Sequence, residues 1–531
     1  MTLIAGVDVG NSTTEIVIAE DGRPVLWDRM PTRGVKGSAT SGAGAARLLA
    51  RMERRLGRDV DIAVLTRQRP VASMSLHVAA TPTDLGGLVI LASGVTSPGG
   101  VGVGAGRPVR AESVPDEGDD PVVVVASDPL GFRRTVEQVL AWQSSGHDVV
   151  GVLLAGDEAR LVSRRLGLAV PIVDCIDAER ALACRRICIE VARDDAALGV
   201  VTDPLRLAAQ LGLDVEEHGV ARSAGDSLRA ARSAAIGVLD EAPTAMPATD
   251  HLYAPRHVGE IRSWPRPDGA RMVVDDLWLV DLGDLHLPGL RADALAERGM
   301  VIAALSSEEE TADHVTGFRE SWRGEVQVLS SEIEAGRLGA LSTPTASPAA
   351  LVIDLGGGTV DASDRTQRIT AAGSGDLLTV AVADALGISR GTAEWVKRGP
   401  SRRIDSPSSA LLEDGTRVFL DRVAATGTVG WLVCAGPGGA LPFSPRLAPA
   451  EWRSIRLALK EAVLGDNVRR ALGDLGSTAR EVVLVGGPAG DDEVLDALAS
   501  SLPGTVAGRA DVAGVLGHRW AVAWGLVLAA G

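Results

Sequence analysis

LIAGVDVGNSTTEIVI, at residues 3–18, is the most informative stretch of the chain, because its pattern returns as LVIDLGGGTVDAS at residues 351–363. Each copy has an apolar strand ending in Asp, a Gly-rich turn, a Ser/Thr cluster and a second apolar run. Since β-branched residues resume directly after the turn, we predict a strand–turn–strand hairpin in both places. A third glycine element, EVVLVGGPAGDDEVLDALASSL at residues 481–502, predicts a strand, a Gly-Gly turn and a helix.

The composition is that of a globular protein with several structural units. The chain has 531 residues, and about 150 residues per domain predicts three or four domains. A net charge of −16 argues against nonspecific binding to DNA or acidic lipid, so we expect no nucleic-acid or membrane partner. The N-terminus lacks a basic segment and reaches Asp8 at once, which predicts a cytoplasmic protein without a signal peptide.

Two further patterns predict local structure. Strands VVVVAS, DVVGVLLAG and VPIVD alternate with helical stretches between residues 121 and 174, which predicts a small α/β unit with parallel strands. Residues 305–345 are predicted to be mostly helical. The four cysteines form no CxxC pair, and the spacing of Cys184 and Cys188 predicts two buried thiols on one helix rather than a metal site.

The glycine turns have the residues expected of a phosphate site. A turn without side chains lets backbone N–H groups approach a phosphate as an anion nest. Hydroxyl donors follow in the first turn at Ser12, Thr13 and Thr14, and in the second at Thr359. A plain β-hairpin is the alternative for any single turn, but three such elements in this order favour a nucleotide site.

Carboxylates precede or follow each turn. Asp8, Asp354 and Asp361 would repel a phosphate directly, but they suit a hydrated Mg²⁺ beside nucleotide oxygens. The glycines at 486–487 would let the backbone pass flat against a base or ribose, with a helix N-terminus nearby. The sequence therefore predicts an ATP/ADP–Mg²⁺ site.

These elements resemble the actin/Hsp70/sugar-kinase ATPase superfamily, in which two related lobes close on ATP–Mg²⁺. Within it, the chain resembles the large (alpha) subunit of diol/glycerol dehydratase reactivase, with matches in order along nearly the whole chain. The matching segments are IAGVDVGNSTTE, RGVKGS, TSPGG, GVLLAGDEARLVSRRL, PIVD, IDLGGGTVDAS, AGSGDLLT, AEWVKRGP and VVLVGGP.

The resemblance implies an α/β protein, a two-lobed ATPase with an inserted small swivelling domain. We expect residues 1–85 to form the first part of the ATPase lobe and 86–240 the swivelling domain. Residues 241–345 would form the return segment and helices of the ATPase body. Residues 346–531 would form the second lobe with the second hairpin and the adenosine motif.

The resemblance also assigns site residues. Asn11, Ser12 and Thr13 would hold phosphate, and Asp8 and Asp354 would be catalytic through Mg²⁺. Glu394 and Lys397 would border the ribose and base; without the resemblance, an exposed ion pair on a helix is the alternative explanation. The other predicted nucleotide contacts are Gly356, Gly357, Gly358, Thr359, Gly486, Gly487 and Arg509.

A second site is predicted on the inserted unit. Asp157 and Asp174 each follow a predicted strand, and parallel strands would bring both carboxylates to one sheet edge. By resemblance they would hold a second divalent cation with Ser97, at the contact with the small subunit. Helix capping is the alternative explanation for the two aspartates.

The implied function is ATP-dependent reactivation of an adenosylcobalamin-dependent diol or glycerol dehydratase, with slow ATP hydrolysis. The implied partners are a small (beta) subunit, in an α2β2 complex, and the dehydratase; the resemblance leaves association with a microcompartment open. A small-molecule kinase of the same fold and a hydantoinase/oxoprolinase-type ATP-using enzyme are alternatives. An Hsp70-type chaperone would need a β-rich peptide-binding domain after the ATPase.

Overall fold

The computed structural model describes residues 2–69, 71–76, 87–94, 99–113, 120–127, 130–167, 169–193, 198–228, 231–239, 263–265, 271–285, 299–306 and 313–530. The strands are β1 (Leu3–Val9), β2 (Thr13–Glu20), β3 (Arg23–Pro31), β4 (Ile62–Thr66), β5 (Val71–Leu76), β6 (Leu88–Gly94), β7 (Gly102–Arg110), β8 (Val122–Ala126), β9 (Val149–Leu154), β10 (Ile172–Val173), β11 (Cys184–Val191), β12 (Ser233–Leu239), β13 (Ser263–Pro265), β14 (Arg271–Asp281), β15 (Met300–Ser306), β16 (Glu325–Leu329), β17 (Leu351–Leu355), β18 (Thr359–Ser363), β19 (Arg368–Ala372), β20 (Arg402–Ser406), β21 (Ser409–Leu412), β22 (Arg417–Phe419), β23 (Leu432–Gly436), β24 (Gly439–Ser444), β25 (Glu481–Val485) and β26 (Val506–Arg509). The helices are α1 (Ala39–Leu56), α2 (Gly131–Ser144), α3 (Ala159–Leu166), α4 (Ala178–Leu182), α5 (Pro204–Leu211), α6 (His218–Ser227), α7 (Asp313–Ser321), α8 (Glu332–Leu341), α9 (Gly375–Leu386), α10 (Arg390–Val396), α11 (Pro449–Lys460), α12 (Asp466–Leu475), α13 (Asp492–Ala499) and α14 (Ala521–Ala530).

Two five-stranded sheets form the two lobes. The first has the order β16-β4-β1-β2-β3, and the second has the order β19-β18-β17-β25-β26. In both, the predicted hairpin is antiparallel: β1 pairs with β2 and β17 pairs with β18. Each first strand also pairs in parallel with a later strand, β4 or β25. The internal sequence repeat is therefore a repeat of architecture.

Helices α8 and α14 pack against each other between the two sheets. Gly339 of α8 lies so close that a Cβ there would be 1.8 Å from the Ala521 carbonyl oxygen. A Cβ on Gly525 of α14 would lie 1.7 Å from the Ala335 carbonyl oxygen. Because glycine lets the backbones of the helices touch, the pair holds the lobes at a short distance.

Residues 88–239 supply a seven-stranded sheet of order β10-β9-β8-β7-β11-β12-β6. Strands β7 to β10 run parallel, as the alternating pattern predicts, and α2 and α3 connect them. Two smaller sheets complete the described part, β13-β14-β15-β5 and β22-β21-β20-β23-β24. The predicted segment boundaries at 85/86 and 240/241 fall outside the described residues. None of the described helices is both long and apolar enough to cross a bilayer.

One local prediction is wrong, and another holds only in part. Cys184 and Cys188 are buried as expected, but they lie on strand β11 and not on a helix. A spacing of four residues places side chains on one face of a strand as well as of a helix, so it cannot separate the two. Residues 305–345 contain two helices, α7 and α8, separated by strand β16, whose sequence EVQVL alternates with a period of two.

Candidate functional site

A cleft of about 430 Å³ opens where the two hairpin turns meet α9, α10 and the Gly-Gly turn. Most of the residues predicted from the sequence line it: Asp8, Asn11, Ser12, Thr13, Asp354, Gly356, Gly357, Gly358, Thr359, Asp361, Glu394, Lys397, Gly486 and Gly487. Arg509, Asp157 and Asp174 do not line it. Ser97 lies outside the described residues.

The two hairpin turns close with the same hydrogen bond. Gly10 N–H donates to the Thr13 carbonyl at 2.9 Å, and Gly356 N–H donates to the Thr359 carbonyl at 2.9 Å. A Cβ at Gly10 would lie 2.8 Å from the Thr13 carbonyl oxygen, so this turn requires glycine. The cleft is thus walled on two sides by backbone that phosphate oxygens can approach.

The first hairpin also bonds directly to the second lobe. Asn11 Nδ2 donates to Asp376 Oδ2 at 3.1 Å, and the Ser12 hydroxyl donates to Asp376 Oδ1. The Asp376 N–H in turn donates to the Gly357 carbonyl at 2.7 Å, beside the second turn. Two of the three side chains that the family resemblance assigns to phosphate therefore hold a carboxylate in this structure.

Acidic side chains are concentrated at the floor of the cleft. Burial raises the pKa of Asp8 well above its ordinary value, and repulsion from Glu332 raises it further. Burial and repulsion from Asp361 raise the pKa of Asp354 to about 8. Burial also raises the pKa of Asp361 to about 6. A cation placed among these carboxylates would stabilise their charged forms and lower their pKa values.

Lys36 supplies the positive charge of this cluster, and the sequence reasoning did not assign it. Its Nζ donates to both Glu332 carboxylate oxygens at 3.1 Å. Burial opposes its charge, but attraction from Glu332 and Asp8 outweighs burial and raises the pKa of Lys36. Lysine occurs only at 36, 397 and 460, and that rarity beside 50 arginines is the signal that could have found it.

The carboxylates fit a hydrated Mg²⁺ rather than a closed cage. Among the described residues, only Asp157, Asp174 and Cys175 bring three ligand atoms of His, Cys, Asp or Glu within 4.8 Å of one another. Mg²⁺ usually keeps several waters and takes one or two carboxylates beside phosphate oxygens. Asp8 and Asp354, which both line the cleft below the turns, suit that arrangement.

Glu394 and Lys397 form a bonded group at the side of the cleft and not a loose surface pair. Lys397 Nζ lies 2.6 Å from Glu394 Oε2 and donates to the Thr379 hydroxyl at 2.7 Å and the Gly375 carbonyl at 2.8 Å. Burial would raise the pKa of Glu394, but Lys397 and the hydrogen bonds lower it overall. This group ties α10 to the start of α9, next to the second turn.

The Gly-Gly turn packs against the second hairpin. Gly486 has φ +90°, and a Cβ there would lie 2.2 Å from the Leu355 carbonyl oxygen. Its N–H donates to the His518 carbonyl at 2.9 Å, and Arg519 lies over Gly487. A bulkier residue would push β25 away from β17, so the flat surface at this end of the cleft depends on glycine.

Arg509 contacts the segment that follows the Gly-Gly turn. Its Nε donates to the Ala489 carbonyl at 2.6 Å, and its guanidinium pairs with Asp492 at the start of α13. Both contacts stabilise the segment between the Gly-Gly turn and α13. The predicted nucleotide contact of Arg509 remains a prediction, because its side chain does not line the cleft.

Asp157 and Asp174 do come together at the carboxyl edge of the inserted sheet, and Cys175 joins them. Asp174 Oδ2 accepts the N–H of Ala159, the first residue of α3, so the helix-capping explanation also applies. Arg33 of the first lobe pairs with Asp157. Cys175, with φ +58°, was not predicted, although its place directly after Asp174 could have suggested it.

Comparison with known proteins gives a consistent result. The sequence profile of the diol dehydratase reactivase ATPase-like domain matches residues 271–530, and that of the DD-reactivating factor swiveling domain matches residues 90–239. Similar curated proteins include the propanediol dehydratase-reactivating factor large subunit of Citrobacter freundii and the diol dehydratase-reactivating factor large subunit of Klebsiella michiganensis. Each is 27% identical to this chain, over 99% of this chain and 98% of the relative.

Two solved structures share the fold. Diol dehydratase-reactivating factor in its nucleotide-free form covers 100% of this chain and 99% of its own, with a TM-score of 0.54 and 24% identity. A glycerol dehydratase reactivase covers 99% of both chains, with a TM-score of 0.52 and 23% identity. The fold is that of an actin/Hsp70-like two-lobed ATPase with an inserted swivelling domain.

The two profiles together match more than three quarters of the 531 residues. The chain belongs to the diol dehydratase reactivase family. The relatives named here are reactivating factors and not kinases or hydantoinases, so they favour the main hypothesis over both alternatives.

Proposed function

We propose that this chain is the nucleotide-binding large subunit of a factor that reactivates an adenosylcobalamin-dependent diol or glycerol dehydratase. The observation that carries the proposal is the pair of hairpin turns that face each other across one cleft, above buried carboxylates. In this proposal the turns, Asn11, Ser12 and Thr13 hold the phosphates of ATP or ADP. Asp8 and Asp354 hold the waters of a Mg²⁺ ion, which neutralises charge on the phosphates.

Nucleotide state acts in this proposal by changing the closure of the lobes. ATP and ADP differ by one phosphate, and they shift an equilibrium only by binding its two states with different affinity. Coupling of this kind is typically worth about 1–3 kcal/mol. Slow hydrolysis is sufficient, because hydrolysis sets the duration of a conformational cycle and does not have to keep pace with the turnover of a metabolite.

The contacts of the inserted domain support a mechanical link. Arg33 of the first lobe pairs with Asp157, and Arg232 donates to the Ala440 carbonyl of the second lobe at 2.9 Å. Arg33 lies only three residues before Lys36, which is paired with Glu332 in the cleft. A change in lobe closure would therefore move two separate contacts of the swivelling domain.

The partner in this proposal is a small second subunit, in an α2β2 complex. Asp157 and Asp174, with Ser97 by resemblance, would hold a divalent cation that a partner carboxylate completes. Two carboxylates and a hydroxyl fall short of the six to eight oxygen ligands of Ca²⁺, so the ion would need the partner.

Calorimetry with ATP and Mg²⁺ tests the nucleotide site first, with one site per chain expected. The full test mixes this chain, its small subunit, ATP, Mg²⁺ and free adenosylcobalamin with a dehydratase inactivated by glycerol. Recovery of diol dehydration only with ATP supports the proposal. A dehydratase that stays inactive while a small metabolite becomes phosphorylated would establish the kinase alternative instead.

A further inference from the structure

The second lobe contains a cavity separate from the nucleotide cleft. It measures about 890 Å³ and lies within the β22-β21-β20-β23-β24 sheet. Residues 400–402, 412–414, 433–436 and 439–440 line it together with Arg453 of α11. We refer to this cavity as the notch. Of the motifs assigned from the sequence, only the last residue of AEWVKRGP, Pro400, reaches it, and the proposed nucleotide chemistry does not use it.

The notch exists because β20 pairs with only the first two residues of β23. The two strands pair only at Arg402–Val433 and at the next residue pair, and beyond that point β23 pairs with β24 alone. Ser401, the residue before β20, does not continue this pairing, because its N–H and hydroxyl donate to Glu413 Oε1 at 2.6 and 2.8 Å instead. In the described structure, residues 434–436 therefore have no strand beside them on the β20 side.

An unpaired strand edge is a template for another extended segment. Three residues of β23 span about 10 Å, which is enough to pair with three or four residues of a second chain. The volume of the notch, about twice that of the nucleotide cleft, gives room for their side chains. The shape thus favours an extended peptide over a small rounded metabolite.

The charges of the notch indicate what kind of peptide fits. The exposed guanidiniums of Arg402 and Arg453 have no hydrogen bond or ion pair with any described residue. Glu413 is already bonded by Ser401 and by Arg456. Asp414 is the other carboxylate of the lining, and it accepts the Thr416 N–H at 2.8 Å. Two free cations thus face one carboxylate that is already hydrogen-bonded, which favours an acidic segment.

A chain of buried ion pairs connects the notch to the nucleotide cleft. Fully buried Arg456 makes paired hydrogen bonds to Glu413 on one side, at 2.8 and 2.9 Å, and to Glu493 on the other, at 2.7 and 2.6 Å. Fully buried Lys460 joins Glu493 at 2.7 Å to Asp491 at 2.6 Å. Asp491 lines the nucleotide cleft. Because the bonds are short and both cations are fully buried, a shift of Glu413 would disturb the other members of the chain.

We propose that the notch binds an extended acidic segment of a partner protein, added as a strand to β23, and that this binding is coupled to nucleotide occupancy through the Glu413–Asp491 chain. The binding site itself stands independently of the function proposed above. Only the coupling rests on that proposed function.

Binding is tested with a fluorescein-labelled hexapeptide that alternates valine and glutamate, titrated with the full chain and followed by anisotropy. We expect saturable binding with a Kd below about 1 mM and at least about tenfold weaker binding of the matched valine–lysine peptide. Arg402→Ala combined with Arg453→Ala should weaken binding about tenfold. Arg417→Ala, on the same sheet but paired with Asp405, is the control and should leave binding unchanged.

Three results would overturn the site: no saturable binding of the acidic peptide, equal binding of the lysine peptide, or full affinity in the double variant. A glutamate peptide with alternate backbone nitrogens methylated tests the strand geometry, because it cannot complete main-chain hydrogen bonds. Undiminished binding of that peptide would contradict strand addition.

The coupling is tested by repeating the titration with and without saturating ATP–Mg²⁺. We expect the peptide Kd to change by at least about threefold in the native chain, and by less in Glu413→Gln, which keeps its size but loses the charge facing Arg456. Calorimetry on the same sample reports whether ATP binds at all, so a failure of the nucleotide site is recognised separately. An unchanged peptide Kd in a chain that binds ATP would refute the coupling.

Discussion

The Ser12 hydroxyl of the first hairpin donates a hydrogen bond to Asp376 at the start of α9, on the far side of the cleft. The same carboxylate accepts from Asn11 Nδ2 at 3.1 Å. Two donors suited to a phosphate thus hold a carboxylate that links the lobes. In the proposed function, a nucleotide entering the cleft has to take these donors from Asp376, and its binding would thereby be coupled to the closure of the lobes.

Replacing Asp376 by Asn should strengthen nucleotide binding. The change removes a negative charge that would face the phosphates and weakens the competing contact to Asn11 and Ser12. We expect ATP affinity to rise about fivefold, which lies within the usual range of coupling energies. Calorimetry measures this, with Asp496→Asn on the exposed face of α13 as the charge-matched control. Weaker binding in Asp376→Asn would mean that this carboxylate helps to hold the nucleotide.

Asp8→Asn should leave the fold intact and slow ATP hydrolysis about 100-fold, by analogy with other losses of a single electrostatic contact. The amide keeps the size of the carboxylate but loses the charge that attracts hydrated Mg²⁺ in the proposed function. Phosphate release reports the rate, and Asp59→Asn on the exposed surface serves as the control. Unchanged turnover would show that Asp8 is only a strand-end residue and that Mg²⁺ is held elsewhere.

Lys36→Met should destabilise the chain and reduce hydrolysis, because it leaves the half-buried Glu332 without its partner. Breaking a fully buried ion pair from one side typically costs about 3–5 kcal/mol, so we expect a smaller loss for this half-buried pair. Adding Glu332→Gln should recover much of the stability but not the activity. Denaturation of the single and double variants measures the coupling between the two side chains. If the losses of stability in the two single variants simply add up in the double variant, Lys36 and Glu332 do not act as a directly interacting pair.

The ligand-free chain should become less stable as pH rises from about 5 to 7. The pKa of Asp354 is about 8 in the folded state, against an ordinary value of about 4 when unfolded, so the folded state holds about one proton more in this window. Asp354→Asn should therefore flatten the pH dependence by about one proton. Denaturation at several pH values without nucleotide or divalent ions measures the slope.

Asp364→Asn is the matched control for the pH experiment. Hydrogen bonds from Thr366 and Gln367 lower the pKa of Asp364 to about 2, so its contribution is lost only as pH falls from about 4 through 2. The slope between pH 5 and 7 should stay as in the native chain. Equal slopes in all three proteins would show that Asp354 is ionised in the folded state.

Asp157→Ala combined with Asp174→Ala should loosen association with the small subunit while ATP binding is retained. The two carboxylates lie away from the nucleotide cleft, at the edge of the inserted sheet. Chelation should weaken association of the native chain but not of the double variant. Surface plasmon resonance of the two subunits, with and without chelator, measures both effects. Association that is indifferent to chelation and to the double variant would leave helix capping as the role of Asp174.

The hairpins and the Gly-Gly turn are predictable because their conformation is local. At Gly10 and Gly486 the backbone leaves no room for a side chain, so glycine is required there and can be recognised in the sequence. The parallel strands that bring Asp157 to Asp174 follow from the same kind of short-range pattern. These features identify the family and most of the cleft lining.

The positions of Lys36, Glu332 and Asp376 depend on tertiary structure alone. Lys36 meets a carboxylate 296 residues away, and Ser12 meets one 364 residues away. No local periodicity encodes such contacts, because they arise only when α8 and α14 bring the two sheets together. Lysine is nevertheless confined to two positions in the cleft lining and to Lys460, which contacts it through Asp491. The sequence thus specified which turns and charges the chain has, and packing between the lobes specified which of them meet.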